Sequence, residues 1–230
     1  MSMRVLITGA NRGLGMEMVR QYVDQGARVF AAARTPHSAE LSQLAAKHAA
    51  QLSLIALEVT SETELQAAVE TVRAQTDGLD LLINNAGIGS RGIGLGSYTS
   101  AAMLSVLHTN AVAPVLIGQA FLGLLLQGKQ AKIVNISSQV GSFGWNHSGM
   151  APLYAASKAA LNMYTRSFSR EAAGVITIAV HPGWVQTDMG GGSAPMTPQE
   201  SVAHLRALFA RLTAADNGQF FNYDGKPHVY

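Results

Sequence analysis

The sequence contains no cysteine among its 230 residues, so disulfide bonds and cysteine-ligated metal sites are excluded. Charged residues are also scarce, at 13% of the chain, and Lys and Arg (16) outnumber Asp and Glu (14) by only two. No cluster of Lys and Arg forms a basic patch, so we expect no nucleic-acid partner. The absence of cysteine is compatible with a reducing compartment, and we expect a cytoplasmic protein.

Long apolar segments are lacking as well. Residues 1–7 lead directly into a predicted strand, without the apolar segment and small-residue cleavage site of a signal peptide. The longest apolar stretch, residues 111–126, is 16 residues long and is interrupted only by Gln119. A bilayer span needs about 20 residues, so we expect a helix buried against a sheet or a second subunit, and no membrane partner. The seven histidines show no metal-binding spacing, and we expect no metal site.

Hydrophobic residues make up 48% of the chain, enough for one full core, and we expect a single domain over residues 1–230. Strand-like apolar runs alternate with helical patterns, which predicts an α/β fold with a doubly wound, mostly parallel sheet of about seven strands. The predicted strands are residues 4–8, 27–33, 52–58, 79–84, 131–137, 175–181 and 219–222. The main predicted helices are residues 13–25, 62–75, 101–127, 153–172 and 198–212.

A glycine-rich turn follows the first strand and reads Thr8-Gly9-Ala10-Asn11-Arg12-Gly13-Leu14-Gly15. Gly9 permits a sharp exit from the strand, Gly13 allows close approach of backbone to a pyrophosphate, and Gly15 allows the next helix to pack closely. Such a turn at a helix N-terminus favours a dinucleotide. Taken alone, this glycine spacing is equally compatible with an ordinary turn.

A second motif, Tyr154-Ala155-Ala156-Ser157-Lys158, lies in a predicted helix. Tyr154 and Lys158 are four residues apart, so they share one face, and the ammonium is expected to favour the ionised phenol. That pair would suit a proton donor, although an isolated Tyr/Lys pair is more often a solvated helix face. Combined with the glycine turn, it predicts hydride transfer coupled to proton transfer.

These motifs and four others occur in the order typical of the short-chain dehydrogenase/reductase family, which the chain resembles over nearly its whole length. The other matching segments are Asn84-Asn85-Ala86-Gly87, Asn110, Ile136-Ser137-Ser138, and His181-Pro182-Gly183 with Thr187. The ending, residues 218–225, is similar to the carbonyl-reductase-like branch that includes C-factor and sniffer-type proteins.

The resemblance implies that Tyr154 is the catalytic acid and that Lys158 also holds the nicotinamide ribose. It implies that Ser138, rather than the adjacent Ser137, donates a hydrogen bond to the substrate oxygen. Asn110 would anchor a water that links Lys158 to solvent. The resemblance also implies a cofactor site formed by these residues and by Thr8, Gly9, Asn11, Arg12, Gly13, Leu14, Gly15, Arg34, Glu58, Val59, Asn85, Ala86, Gly87, Pro182, Gly183, Val185 and Thr187.

The end of the second strand bears on the choice of cofactor. A ribose 2′-hydroxyl is usually bound by an acid about 20 residues beyond the glycines, whereas a 2′-phosphate requires a cation. No acid occurs between Asp24 and Glu40, and Arg34 stands at the strand end. Arg34 and Arg12 are therefore expected to converge on a 2′-phosphate, which favours NADP(H) over NAD(H). Either arginine alone is equally compatible with a solvated surface charge.

Five large apolar residues flank the catalytic positions, namely Phe143, Trp145, Met150, Trp184 and Met189. They indicate either an apolar substrate pocket or loop packing over the cofactor. We therefore expect an NADPH-dependent reductase of an apolar or aromatic aldehyde or ketone. The alternative is a dinucleotide-binding signalling or scaffold protein with little turnover. The two most apolar helices predict a homodimer or homotetramer whose interface includes Phe121 and Leu125.

Overall fold

The computed structural model describes residues 2–230. Seven parallel strands form one sheet in the order β3-β2-β1-β4-β5-β6-β7. The sheet thus winds outward in both directions from β1 and β4, and the predicted doubly wound α/β fold is confirmed. The strands are β1 (Arg4–Thr8), β2 (Arg28–Ala33), β3 (Leu52–Ala56), β4 (Leu81–Asn84), β5 (Lys132–Ile136), β6 (Ile176–His181) and β7 (Phe220–Asn222).

Helices connect the strands and cover both faces of the sheet. They are α1 (Gly13–Asp24), α2 (Ala39–Lys47), α3 (Glu62–Arg73), α4 (Ser100–Leu107), α5 (Ala113–Ala120), α6 (Leu122–Leu125), α7 (Pro152–Glu171) and α8 (Pro198–Arg211). One apolar core lies between the sheet and α1 and α8, and the other lies between the sheet and α3, α5 and α6. The inner strands are apolar on both sides because both of their faces are covered.

The predicted continuous helix over residues 101–127 is interrupted in the structure. A π-helical turn, His108–Val112, separates α4 from α5, and Phe121 separates α5 from the short α6. Pro114, at the start of α5, lacks the backbone N–H that a regular helix would need there. The π turn lets Asn110 point inward, where it is fully buried.

The predicted interface residues Phe121 and Leu125 are 0% exposed and belong to the core between the sheet and α3. That part of the oligomer prediction is wrong, because these two side chains are consumed by packing within one domain. The excess of apolar residues that motivated it is divided between the core and an exposed face. Met103 (41%), Leu104 (66%) and Val112 (36%) form the exposed part.

One helical stretch, Ser100–Ala120, is long and apolar enough by length and composition to cross a bilayer, with a mean hydropathy of 1.5. In the structure, 39% of its most apolar 18-residue segment is buried inside the domain. Asn110, in the middle of the stretch, donates to Ser157 on α7 over 3.0 Å. The stretch is therefore built into the sheet-and-helix core.

Candidate active site

The glycine turn between β1 and α1 lies at the point where the strand order reverses, where open α/β sheets bind ligands. Gly9 has φ of +64°, and a Cβ there would lie 2.9 Å from the Ala86 Cα. A Cβ on Gly15 would lie 2.1 Å from the Gly9 carbonyl oxygen. Both glycines are therefore required by contacts within the chain, and the backbone of the turn stays open to the cleft.

Thr8 and Asn85 fasten the turn to the end of β4. The Thr8 hydroxyl accepts from the backbone N–H groups of Asn85 (3.0 Å) and Ala86 (3.1 Å). The Asn85 amide donates to the carbonyl oxygens of Thr8 (3.0 Å) and Gly9 (3.2 Å). Thr8 is 1% exposed, and like Gly15 it lies behind the cleft wall rather than on it. Both residues thus shape the turn from behind.

Arg12 and Arg34 both line the cleft, and each has a carboxylate partner. Arg12 donates to Asp188 at 2.9 Å, and the Arg34 Nε lies 3.6 Å from a Glu58 carboxylate oxygen. Their side chains are 64% and 67% exposed, respectively. Exposed ion pairs of this kind are worth little, so a phosphate can compete for either guanidinium. The ion pair between Arg12 and Asp188 was not predicted, because the two residues are 176 positions apart in the sequence.

The predicted Tyr154 and Lys158 pair lies on α7, with both residues lining the cleft. The Lys158 ammonium donates to the Ile136 carbonyl oxygen over 2.8 Å and lies 5.6 Å from the centre of the Tyr154 ring. Burial lowers the pKa of Lys158 to about 8. Burial also raises the pKa of Tyr154 to about 12, and a hydrogen bond with Ser138 opposes that rise.

Burial therefore opposes the influence expected of Lys158, and it is the largest cause of the raised pKa of Tyr154. A phenol of ordinary pKa near 10 already keeps its proton at neutral pH. A protonated phenol is the form that can give a proton to a developing alkoxide.

The two serines after β5 occupy different environments. Ser137 is 2% exposed, and its hydroxyl donates to the Asn162 side chain over 2.6 Å. Ser138 is less buried, and its hydroxyl forms a hydrogen bond with Tyr154 and a long contact with the Val140 N–H, at 3.4 Å. Of the two, Ser138 is therefore the hydroxyl that lies beside the predicted proton donor.

Asn110 lies beneath the cleft and is 0% exposed. Its side chain accepts from the Ile88 N–H and donates to the Ile88 carbonyl oxygen, both over 2.8 Å. Its amide also donates to Ser157, whose hydroxyl in turn donates to the Tyr154 carbonyl oxygen over 2.7 Å. Asn110 therefore ties the segment after β4 to the helix that carries Tyr154, and it does not itself line the cleft.

The segment after β6 closes the cleft on the opposite side. Pro182, Gly183, Val185 and Thr187 line it, as predicted for a cofactor wall. The Thr187 hydroxyl accepts from the Gly190 N–H over 3.2 Å. His181, at the end of β6, is 8% exposed, and burial lowers its pKa to about 4, with a smaller effect from His228.

Together these segments enclose a cleft of about 1410 Å³. That volume exceeds the roughly 300–1,000 Å³ of a typical small-ligand site, so the cleft can hold a dinucleotide together with a small substrate. The remaining predicted cofactor residues also line it, namely Gly9, Asn11, Gly13, Leu14, Glu58, Val59, Asn85, Ala86 and Gly87. In residues 2–230, no three or more His, Cys, Asp or Glu side chains are grouped to hold a metal ion.

Four of the five predicted apolar residues line the cleft that contains Tyr154, namely Trp145, Met150, Trp184 and Met189. Phe143 does not, because its side chain points outward and is 86% exposed. Sequence reasoning missed Ile88, His108 and Val140, which also line the cleft. His108 begins the π-helical turn, a distortion that the predicted continuous helix did not contain.

Comparison with known proteins agrees with this geometry. The short chain dehydrogenase family matches residues 3–197. The short-chain dehydrogenase srdF of Neurospora crassa is 34% identical over 95% of this chain and 93% of its own length. The C-signal protein of Myxococcus xanthus is 39% identical over 65% of this chain and 92% of its own length.

Solved structures of carbonyl reductases have the same fold. The NADPH-bound carbonyl reductase from chicken fatty liver superposes with a TM-score of 0.91 at 39% identity, covering 100% of this chain and 99% of that one. Carbonyl reductase Sniffer of D. melanogaster gives a TM-score of 0.95 at 32% identity, with full coverage of both chains. The family match, the sheet order and the convergence of Ser138, Tyr154 and Lys158 on one cleft lead to the same conclusion: this chain belongs to the short-chain dehydrogenase/reductase family of oxidoreductases.

Proposed function

We propose that this enzyme reduces the carbonyl group of an apolar or aromatic aldehyde or ketone, with NADPH as the reductant. The observation that carries the proposal is that Ser138, Tyr154 and Lys158 line one cleft together with large apolar side chains. The same cleft carries Arg12 and Arg34, which would bind the 2′-phosphate of the dinucleotide. The reaction class follows from the first group of residues and the cofactor from the second.

When bound, the dinucleotide would supply the hydride that reduces the carbonyl carbon of the substrate. Tyr154, a phenol that is protonated at neutral pH, would give its proton to the carbonyl oxygen. Ser138 donates a hydrogen bond to the same oxygen as negative charge develops there. Lys158, held by the Ile136 carbonyl, presents a positive charge beside the phenol and a donor to the ribose.

Asn110 supports this group from below by fixing Ile88 and, through Ser157, the first turn of α7. Its predicted role with a bound water remains part of the proposal. The dinucleotide would lie along the glycine turn and the ends of β3, β4 and β6. There it would contact Asn11, Leu14, Val59, Asn85, Ala86, Gly87, Pro182, Gly183, Val185 and Thr187.

The preference for NADPH rests on Arg12 and Arg34. Both arginines line the cleft with side chains more than half exposed, and a 2′-phosphate would compete with their carboxylate partners, the exposed Asp188 and the partly buried Glu58. The carbonyl reductase from chicken fatty liver is NADPH-bound in its crystal structure, which supports the same choice here.

The test is consumption of NADPH by the purified protein with a panel of aldehydes, ketones and quinones. We expect turnover of aryl or otherwise apolar carbonyls, with little turnover of charged ones, because the substrate end of the cleft carries four large apolar side chains. Absence of NADPH consumption with every member of the panel would refute the proposal.

A second candidate function is signalling, which is favoured by the 39% sequence identity to the C-signal protein. A pure binding protein would hold the dinucleotide without consuming it. The retention of Asn110, Ser138, Tyr154 and Lys158 favours turnover, because binding alone has no need of a proton donor. NADPH binding in titrations without consumption across the panel would decide for the signalling function.

We also propose a homodimer or homotetramer. With Phe121 and Leu125 assigned to the core, the available apolar surface is Leu104 on α4 (66% exposed) together with Met163 (65%) and Tyr164 (45%) on α7. A Leu104→Asp, Met163→Asp double variant should dissociate to monomers, because it buries two charges at the contact. Light scattering at micromolar concentration measures this, and a monomeric parent protein would contradict the proposal.

A further inference from the structure

The last residues of the chain fold back over β7, the edge strand of the sheet. The backbone N–H of Asn222 donates to Lys226 over 2.9 Å, and that of His228 donates to Phe220 over 2.8 Å. Pro227 pairs with Phe221 in an antiparallel bridge. Residues 226–230, which we name the tail, thus form a short hairpin with β7 and cover an edge that would otherwise be unpaired.

The tail is anchored at several points. The rings of His228 and Tyr230 pack on Phe220, with centroid distances of 4.6 and 5.8 Å. The Arg166 guanidinium lies 5.5 Å from the centre of the Tyr230 ring. The Tyr230 hydroxyl donates to the Gly218 carbonyl oxygen. These contacts fix the end of the tail relative to the sheet and to α7.

The anchored end contacts a loop on the substrate side of the cleft. We name residues 142–150 the rim loop. The Gly144 N–H donates to the backbone oxygen of Tyr230 over 3.1 Å. A Cβ on Gly144 would lie 2.9 Å from the Val229 Cγ2, so a larger residue at this position would require the tail or the rim loop to shift. The next residue, Trp145, lines the cleft.

The rim loop behaves as one unit because Asn146 ties it together. The Asn146 amide donates to the carbonyl oxygens of Val140 (2.8 Å) and Met150 (3.0 Å). Its side-chain oxygen accepts from the Met150 N–H over 3.0 Å. Met150 also lines the cleft, so a displacement at Gly144 would be transmitted to both cleft-lining side chains of the loop.

We propose that Val229 and Tyr230 are positioning residues for the substrate. By holding Gly144, they fix the Trp145 indole beside the carbonyl pocket and so limit the size of the substrate group that fits beside Tyr154. This inference rests on the proposed carbonyl reduction and adds a determinant of substrate size. Neither residue lines the cleft, so both act through the rim loop.

The test is a double-mutant cycle of Gly144→Ala and Val229→Ala. The new methyl group on residue 144 lies 2.9 Å from the Val229 Cγ2 and should displace the rim loop, and Val229→Ala should relieve most of this crowding by leaving only the Cβ, at 3.2 Å. We expect Gly144→Ala to change the ratio of kcat/KM for a bulky aryl ketone to that for a small aldehyde by about tenfold, mainly through KM. The double variant should restore the ratio of the parent.

A second readout does not depend on turnover. The chain has two tryptophans, so in a Trp184→Phe background Trp145 is the only fluorophore of its kind. Acrylamide quenching of Trp145 should increase in Gly144→Ala and return toward the parent value when Val229→Ala is added. Gly94→Ala is the matched control, because its new Cβ meets no atom within 4 Å.

The proposal is overturned if Gly144→Ala matches Gly94→Ala in both quenching and substrate ratio, or if Val229→Ala fails to restore them. If Gly144→Ala does not fold, the single variant Val229→Ala takes its place, because it removes the methyl group nearest Gly144, and quenching of Trp145 unchanged from the parent is equally contradictory. A parent enzyme with no carbonyl turnover would refute the proposed function, and the quenching cycle alone would then decide whether the tail positions Trp145.

Discussion

The two ends of the cleft are built in opposite ways. At the dinucleotide end, the backbone of the glycine turn forms the wall, and buried polar groups behind it, such as Thr8 (1% exposed), hold the turn in place. At the substrate end, the wall consists of large side chains on loops, such as Trp184 (54% exposed) and Met150 (54%). The first end is determined by close contacts between strand ends, whereas the second depends on how loops rest on the domain. Chemistry and cofactor binding are therefore expected to tolerate fewer substitutions than substrate choice.

The largest effect should come from a substitution of Tyr154, the predicted proton donor. Tyr154→Phe removes one hydroxyl, so turnover should fall by at least about 100-fold while the fold and the NADPH affinity remain largely intact. Steady-state kinetics with the best carbonyl of the panel and NADPH titration by fluorescence measure the two quantities. Retention of more than about a tenth of the rate would show that Tyr154 is not the proton donor.

A pair of glycine substitutions tests the contrast between the two ends directly. Gly15→Ala places a methyl group 2.1 Å from the Gly9 carbonyl oxygen, a backbone atom that has no room to withdraw. We expect a loss of about 2–3 kcal/mol in the free energy of unfolding, because this is overpacking against a rigid turn. Gly192→Ala, in the loop after β6, meets no atom within 4 Å and should stay within about 0.5 kcal/mol of the parent.

Urea denaturation of both variants gives these values. Equal losses would mean that the turn relaxes as readily as the loop, and the contrast between the two ends would then be incorrect. A Gly15→Ala protein too unstable to purify would agree with the prediction, provided that Gly192→Ala folds normally.

The same contrast explains what could be predicted from the sequence. The residues of the dinucleotide end were predicted from the family resemblance, and most of them line the cleft, whereas Thr8 and Gly15 lie behind its wall. Ser138, Tyr154 and Lys158 line the same cleft. The burial that raises the pKa of Tyr154 was not predicted, because desolvation depends on all the surrounding atoms and not on one neighbour four residues away.

Contacts between residues far apart in the chain could not be predicted from the sequence either. Nothing in the residue pattern connects Arg12 with Asp188, or Gly144 with Tyr230, since both pairs form only when loops from opposite parts of the chain meet. The break in the helix over residues 101–127 was missed because the inward turn of Asn110 is decided by its partners Ile88 and Ser157. Substrate identity depends on such loop contacts.

His181 is the last residue of β6, directly before the loop that lines the cleft. Its burial leads us to expect that the stability of the fold depends on pH. Burial lowers its pKa to about 4, against 6.5 for an unperturbed histidine, and its Nδ1 has no hydrogen-bond partner. Between pH 6.5 and 4 the unfolded chain therefore binds a proton that the folded chain does not. The free energy of unfolding should thus fall as the pH is lowered through this range, by about 3 kcal/mol from this group.

Urea denaturation at several pH values measures the slope. His181→Asn should have a flatter dependence between pH 6.5 and 4, because the titrating group is gone, whereas His37→Asn, a change of an exposed histidine, should keep the parent slope. The same slope in parent and His181→Asn would show that His181 is protonated in the folded protein, and the cleft near β6 would then be more hydrated than the structure indicates.

The smallest expected effect concerns the discrimination between cofactors at the far end of the dinucleotide wall. Arg34 is 67% exposed and lies 3.6 Å from Glu58, so its attraction for a phosphate is partly offset by that carboxylate and by solvent. We expect the parent to bind NADPH about tenfold more tightly than NADH, or about 1.4 kcal/mol.

Arg34→Asp places a second carboxylate beside Glu58, which should repel the 2′-phosphate and abolish or reverse the preference. Fluorescence titration of both cofactors measures it, with Arg91→Asp, an exposed arginine outside the cleft, as the control for net charge. An unchanged NADPH affinity in Arg34→Asp would mean that Arg12, which pairs with Asp188, and not Arg34, determines the preference for NADPH.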